Sequence, residues 1–85
     1  MKVPLTALKE GETGVITSIE IGFGHGKRGG SGFQKRLIDM GLTPGTEVTV
    51  VKSAPFHGPI EVYVRGYRLA LGRGMAERIL VEVKR

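Results

Sequence analysis

The twelve residues from Ile60 to Leu71, Ile-Glu-Val-Tyr-Val-Arg-Gly-Tyr-Arg-Leu-Ala-Leu, limit the possible folds more than any other stretch. Ile60, Val62 and Val64 alternate with Glu61, Tyr63 and Arg65, the period-two pattern of a strand with one face on a core. Only Arg65-Gly66 stands between this run and Tyr67-Arg68-Leu69-Ala70-Leu71. Two residues can reverse a chain into an antiparallel hairpin, whereas a parallel crossover needs a dozen or more. The segment therefore commits the chain to an antiparallel sheet.

Three further runs carry the same signature. Residues 12–21 are rich in β-branched side chains and place Val15, Thr17, Ile19 and Ile21 on one face against Ile16, Ser18 and Glu20 on the other. Residues 47–52 form a second run, and Ile79, Val81 and Val83 mark the last. Ser53 to Pro59 is a turn holding two prolines, and Pro59, which cannot donate to a ladder, suits the first position of a strand. Residues 72–78 make a short turn, with room for one helical turn around Met75-Ala76-Glu77. Near the start, Leu5 and Leu8 are three apart, as a single helical turn requires, and Gly11 ends it.

One segment reads as helix. Phe33, Leu37 and Met40 share a face with Ile38 beside them, and Ser31 with Gln34 has capping-box spacing at its start. Gly41 supplies a left-handed terminator, and Thr43-Pro44-Gly45-Thr46 has Pro and Gly where a type II turn needs them. Five short strands and one helix within 85 residues favour a closed or nearly closed barrel, one domain spanning residues 1–85. A chain of this size buries only about 60–65% of the surface its unfolded form exposes, leaving little space for an enclosed catalytic cavity.

The composition narrows the function. Without cysteine there are no disulfides, thiolate metal sites or cysteine nucleophiles. His25 and His57, the only histidines, have no partner at metal-ligand spacing, and no hydroxyl, histidine and carboxylate order suggests a nucleophile. No catalytic, cofactor or metal residue is assigned, and the chain is read as non-enzymatic. No apolar run reaches the ~18–20 residues of a membrane span or resembles a signal peptide, so the expected location is cytoplasmic. Gly24-His25-Gly26-Lys27-Arg28-Gly29 has the G-x-G-x-x-G spacing of a dinucleotide-binding turn. A chain this short cannot supply the repeated βαβ units behind that motif, and residues 22–32, with six glycines, read as a flexible loop. The net charge is +5, and Lys27, Arg28, Lys35 and Arg36 lie in a segment from Gly22 to Ile38 that contains no acid. Phe56 and Tyr63 are first expected in the core, where small barrels usually keep their aromatics.

These residues together resemble the FeoA family, the small component of bacterial ferrous-iron transport. The resemblance rests on Leu5, Leu8 and Gly11-Glu12; Gly14-Val15-Ile16; Arg36-Leu37 with Met40-Gly41-Leu42 and Pro44-Gly45; Ala54-Pro55 with Pro59; Gly66 and Leu69-Ala70-Leu71; and Ala76 with Ile79. It implies a mainly β, SH3-like five-stranded barrel with one short helix between the first and second strands. It also implies an accessory role, by contact with the cytoplasmic part of an FeoB-type ferrous iron transporter. The residues assigned to that contact are Lys27, Arg28, Lys35, Arg36, Asp39, Pro55 and Phe56. Two features depart from the family pattern: the glycine-rich loop is long, and His57 stands where members often have glycine. The alternative reading is a basic nucleic-acid-binding barrel, against which the scarcity of aromatics interleaved with basic residues counts.

Overall fold

The computed structural model describes residues 1–20, 35–56 and 58–84. Six strands form one antiparallel sheet: β1 (Lys2–Pro4), β2 (Thr13–Ile19), β3 (Glu47–Ser53), β4 (Ile60–Val64), β5 (Tyr67–Leu71) and β6 (Ile79–Glu82). Their order across the sheet is β1-β6-β2-β3-β4-β5. A 3-10 turn (Leu5–Ala7) buries Leu5, α1 occupies residues 35–39, and the one-turn α2 (Arg73–Ala76) buries Ala76. Leu5, Ile16, Leu37, Leu42, Val48, Val50, Ile60, Val62, Leu71, Ile79 and Val81 fill a single core around which the sheet curls.

The β4–β5 hairpin has the predicted register, Val64 opposite Tyr67 and Ile60 opposite Leu71. Arg65 and Gly66 both have positive φ, 49° and 91°, as a two-residue type I′ turn demands. α1 ends as expected. Gly41 is left-handed (φ 86°), its N–H donates to the Ile38 carbonyl at 2.9 Å, and the Leu42 N–H donates to the Leu37 carbonyl at 2.9 Å. This is a Schellman closure, with Leu37 and Leu42 both fully buried beneath it. Thr43 to Thr46 then forms the type II turn, closed by Thr46 N–H on the Thr43 carbonyl at 3.1 Å with Gly45 at φ 92°. The Gly45 N–H donates to the Ile16 carbonyl at 2.7 Å and the Ile16 N–H to the Thr46 carbonyl at 2.9 Å, so the turn is fastened to β2.

Several expectations need correction. The described residues hold six strands and not five, because Lys2–Pro4 pairs with Leu80–Glu82 of β6, a contact between distant parts of the chain that no local pattern reveals. The regular alternation expected along β2 fails at a bulge: Ile16 lies opposite Val81 and Ser18 opposite Leu80, leaving Thr17 unmatched. Ile16 and Ile19 consequently both turn toward the core, while Val15 is exposed. Ile38 does not join the core face of α1 but is 57% exposed. The predicted capping box and Phe33 fall outside the described residues.

Gly14 shows why β2 can lie against β6. A Cβ built there would stand 3.0 Å from the Cβ and Cγ2 of Val81 and 3.1 Å from Cγ1 of Val83. A side chain there would force Val81 and Val83 to give by a few tenths of an ångström, so the glycine answers to close packing and not to backbone angle.

Candidate partner-docking surface

Among the described residues, the side chains assigned to partner contact fall on two elements. Lys35, Arg36 and Asp39 project from α1, all exposed. Lys35 Nζ and Asp39 Oδ2 are 4.0 Å apart in an i,i+4 arrangement, so this part of the basic segment does have a neutralising carboxylate, contrary to the charge reading. The pair is well exposed, and its contribution to stability is correspondingly small. Lys27 and Arg28 lie outside the described residues, as do His25 and His57.

Pro55 and Phe56 occupy the β3–β4 turn. Phe56 is 96% exposed, which overturns its expected place in the core, and Tyr63 is also half exposed at 49%. The reason lies in the turn. The Gly58 N–H donates to the Pro55 carbonyl at 3.1 Å, and the Ala54 N–H donates to the Pro59 carbonyl at 3.1 Å, so the reversal is complete before a side chain at position 56 could reach the interior. Phe56 is itself held at φ 56°, a left-handed conformation costly for a bulky residue. Arg73 braces the turn from α2, its Nη2 donating to Ser53 Oγ at 3.2 Å and to the Ala54 carbonyl at 3.1 Å.

The two groups are not contiguous. α1 leads through the Thr43–Thr46 turn into the first residue of β3, and Pro55 follows its last, so about 20 Å of extended strand separates them. Around α1 the hairpin tip completes a different surface. Arg65 Nε donates to the Gly41 carbonyl at 3.2 Å, Arg65 Nη2 to Thr46 Oγ1 at 3.2 Å, and the Tyr67 hydroxyl to the Met40 carbonyl. A groove of about 350 Å³ runs beside it, lined by Thr46, Glu47, Thr49, Tyr63 and Arg65. Arg65, Tyr67 and Ile38 were not among the sequence candidates. The i,i+4 spacing of Lys35 and Asp39 could have been read from the sequence, but a side chain reaching across 24 positions to a helix end could not. Among the described residues no three His, Asp or Glu side chains converge as a metal site would require, and no helix is long and apolar enough to cross a membrane.

A six-stranded antiparallel sheet curled about one core, with a helix carried in the long connection after β2, is an SH3-like barrel; a solved protein of this shape, the zinc complex of Stenotrophomonas maltophilia FeoA, is described as an SH3 domain protein and is 26% identical, with TM-score 0.75 over 94% of this chain and 89% of that one. The chain belongs to the FeoA domain family, which matches residues 3–83. It is 33% identical over 79 residues to a putative Fe(2+) transport protein A of Methanocaldococcus jannaschii, covering 93% of this chain and 84% of the relative. A crystal structure of an iron uptake regulatory protein, FeoA, is 35% identical with TM-score 0.77 over 96% of both chains. In Porphyromonas gingivalis a relative 33% identical over 79 residues is an Fe(2+) transport protein A/Fe(2+) transporter FeoB fusion, of whose length this chain spans 8%. The family is one of ferrous iron transport.

Proposed function

We propose that this chain is a non-enzymatic regulatory module that docks on the cytoplasmic part of an FeoB-type ferrous iron transporter and adjusts its activity. The observation that carries the reading is the fusion relative, in which an FeoA-like segment and a transporter share one polypeptide. Covalent linkage raises the effective concentration of two modules for each other to about the millimolar range, which benefits domains that work in contact. The docking surface is α1 with Lys35, Arg36 and Asp39, the turn after it, and the basic residues Lys27 and Arg28. Pro55 and Phe56 form a second contact at the other end of β3. Phe56 is suited to be an apolar anchor, since a braced turn already holds it outward and little ordering remains to be done on binding.

The test is titration of the purified chain against the transporter's cytoplasmic domain, and separately against duplex DNA and RNA, at low and physiological salt. The transporter domain is expected to bind at both. Arg36→Glu and Arg28→Glu are expected to weaken that binding by about tenfold, and Lys84→Glu, on the exposed chain beyond β6, to leave it unchanged. Salt-resistant nucleic-acid binding without transporter binding would replace this reading with the nucleic-acid one.

A further inference from the structure

The two edges of the sheet differ. β1 is three residues long and carries Lys2 and Pro4, a basic side chain and a residue without an N–H, both of which discourage a further strand. β5 is five residues long and has no proline, and among the described residues it pairs only with β4. Because the hairpin closes with two residues, Val64 and Tyr67 are a hydrogen-bonded pair, and the alternation of an antiparallel ladder makes Tyr63–Arg68 and Glu61–Ala70 the non-bonded pairs. The backbone N–H and C=O groups of Arg68 and Ala70 therefore point away from β4, along the open edge.

The side chains of that edge are self-complementary. Antiparallel pairing of β5 with a second β5, centred on Leu69, sets each Arg68 opposite Ala70 of the other copy and each Tyr67 opposite Leu71. Like charges are never opposed. Beyond Ala70 in the same row stands Glu61, its cross-strand neighbour in β4. Ala70 and Glu61, with Lys52, Ala54 and Pro59, line a groove of about 210 Å³. An arginine crossing the small side chain at 70 would enter this groove and meet the Glu61 carboxylate. Neither Arg68 nor Glu61 makes an ion pair or side-chain hydrogen bond with another described residue, although Lys52 lies opposite Glu61 in the β3–β4 register.

We propose that two copies of the chain associate through β5, antiparallel about Leu69, with Arg68 of each copy in the groove of the other against Glu61. The symmetry gives two Arg68–Glu61 contacts and four backbone hydrogen bonds, from the two Arg68–Ala70 pairs. The occupant is a second copy because charge, side-chain size and register all match the edge to itself.

The experiment is sedimentation equilibrium from about 10 μM to about 1 mM, a range suited to weak association through a small interface. The wild type is expected to shift from monomer to dimer within it. Arg68→Glu alone and Glu61→Arg alone are each expected to weaken self-association by at least about tenfold, since each sets like charges together twice. An equimolar mixture of the two variants, and the double variant R68E/E61R, are expected to dimerise as the wild type does. Recovery in the mixture cannot come from a variant that failed to fold. A wild type monomeric at about 1 mM, single variants that associate undiminished, or a mixture that stays monomeric would each overturn the proposal.

Discussion

Arg65 Nε donates to the Gly41 carbonyl at 3.2 Å, so the tip of the β4–β5 hairpin holds the end of the helix that leads into β3. The last carbonyls of a helix have no partner within it, and here Arg65 and Tyr67 supply donors from another element. A cation at this end also suits the helix dipole.

Arg65→Asn separates this clasp from the turn. Asparagine accepts the left-handed conformation of a type I′ turn, so the hairpin keeps its geometry while losing both guanidinium bonds. Amide exchange at Met40, Gly41 and Leu42 is expected to accelerate about fivefold, corresponding to about 1 kcal/mol, with the β4–β5 ladder unchanged. Exchange that rises equally in both would mean that the clasp does not act locally.

Leu37→Ala and Ile38→Ala should differ sharply although they are neighbours. Leu37 is 0% exposed and Ile38 57% exposed. The first is expected to cost about 2–5 kcal/mol and the second about 0.5 kcal/mol or less, read from the midpoints of urea unfolding.

The hairpin, the left-handed Gly41 and Gly45, and the Leu5–Leu8 turn were legible because each depends on a few consecutive residues. The bulge at Thr17 was not: an extra residue inserted against β6 flips the facing of everything after it, and only the partner strand determines where that happens. β1 was hidden for the same reason, its partner lying some eighty residues away. At the candidate surface, Lys35, Arg36 and Asp39 are exposed on α1, off the face that Leu37 buries, but Ile38 was placed wrongly beside that face, and so was Phe56 in the core. Its hydrophobicity argued for burial, whereas the turn between Ala54 and Pro59 determined its direction.

Gly14→Ala is expected to destabilise the protein by about 1–3 kcal/mol, because the new methyl group meets two buried valines whose branched side chains have little rotamer freedom. Adding Val81→Ala should recover part of that loss. A double-mutant cycle gives the coupling, and strict additivity would show that Val81 is not the obstacle.

Arg73→Ala should loosen the turn that presents Phe56. Removing the donors to Ser53 Oγ and the Ala54 carbonyl is expected to raise exchange at the Gly58 and Ala54 amides and to weaken transporter binding. Phe56→Ala should weaken binding as well, while changing stability by no more than about 0.5 kcal/mol. If Phe56→Ala binds normally, the turn is no part of the docking surface.

The position of β6 bears on how the chain reaches this structure. The strand that enters the sheet between β1 and β2 is the last of the six in chain order, so the β2–β3–β4–β5 meander can pair before β6 docks, leaving β2 with an open flank until then. Completion depends on pairings such as Lys2 with Glu82, which span nearly the whole chain. Such topologies fold on the order of milliseconds to seconds. Until β6 docks, the open side of β2 is therefore the region in most need of protection from the wrong strand.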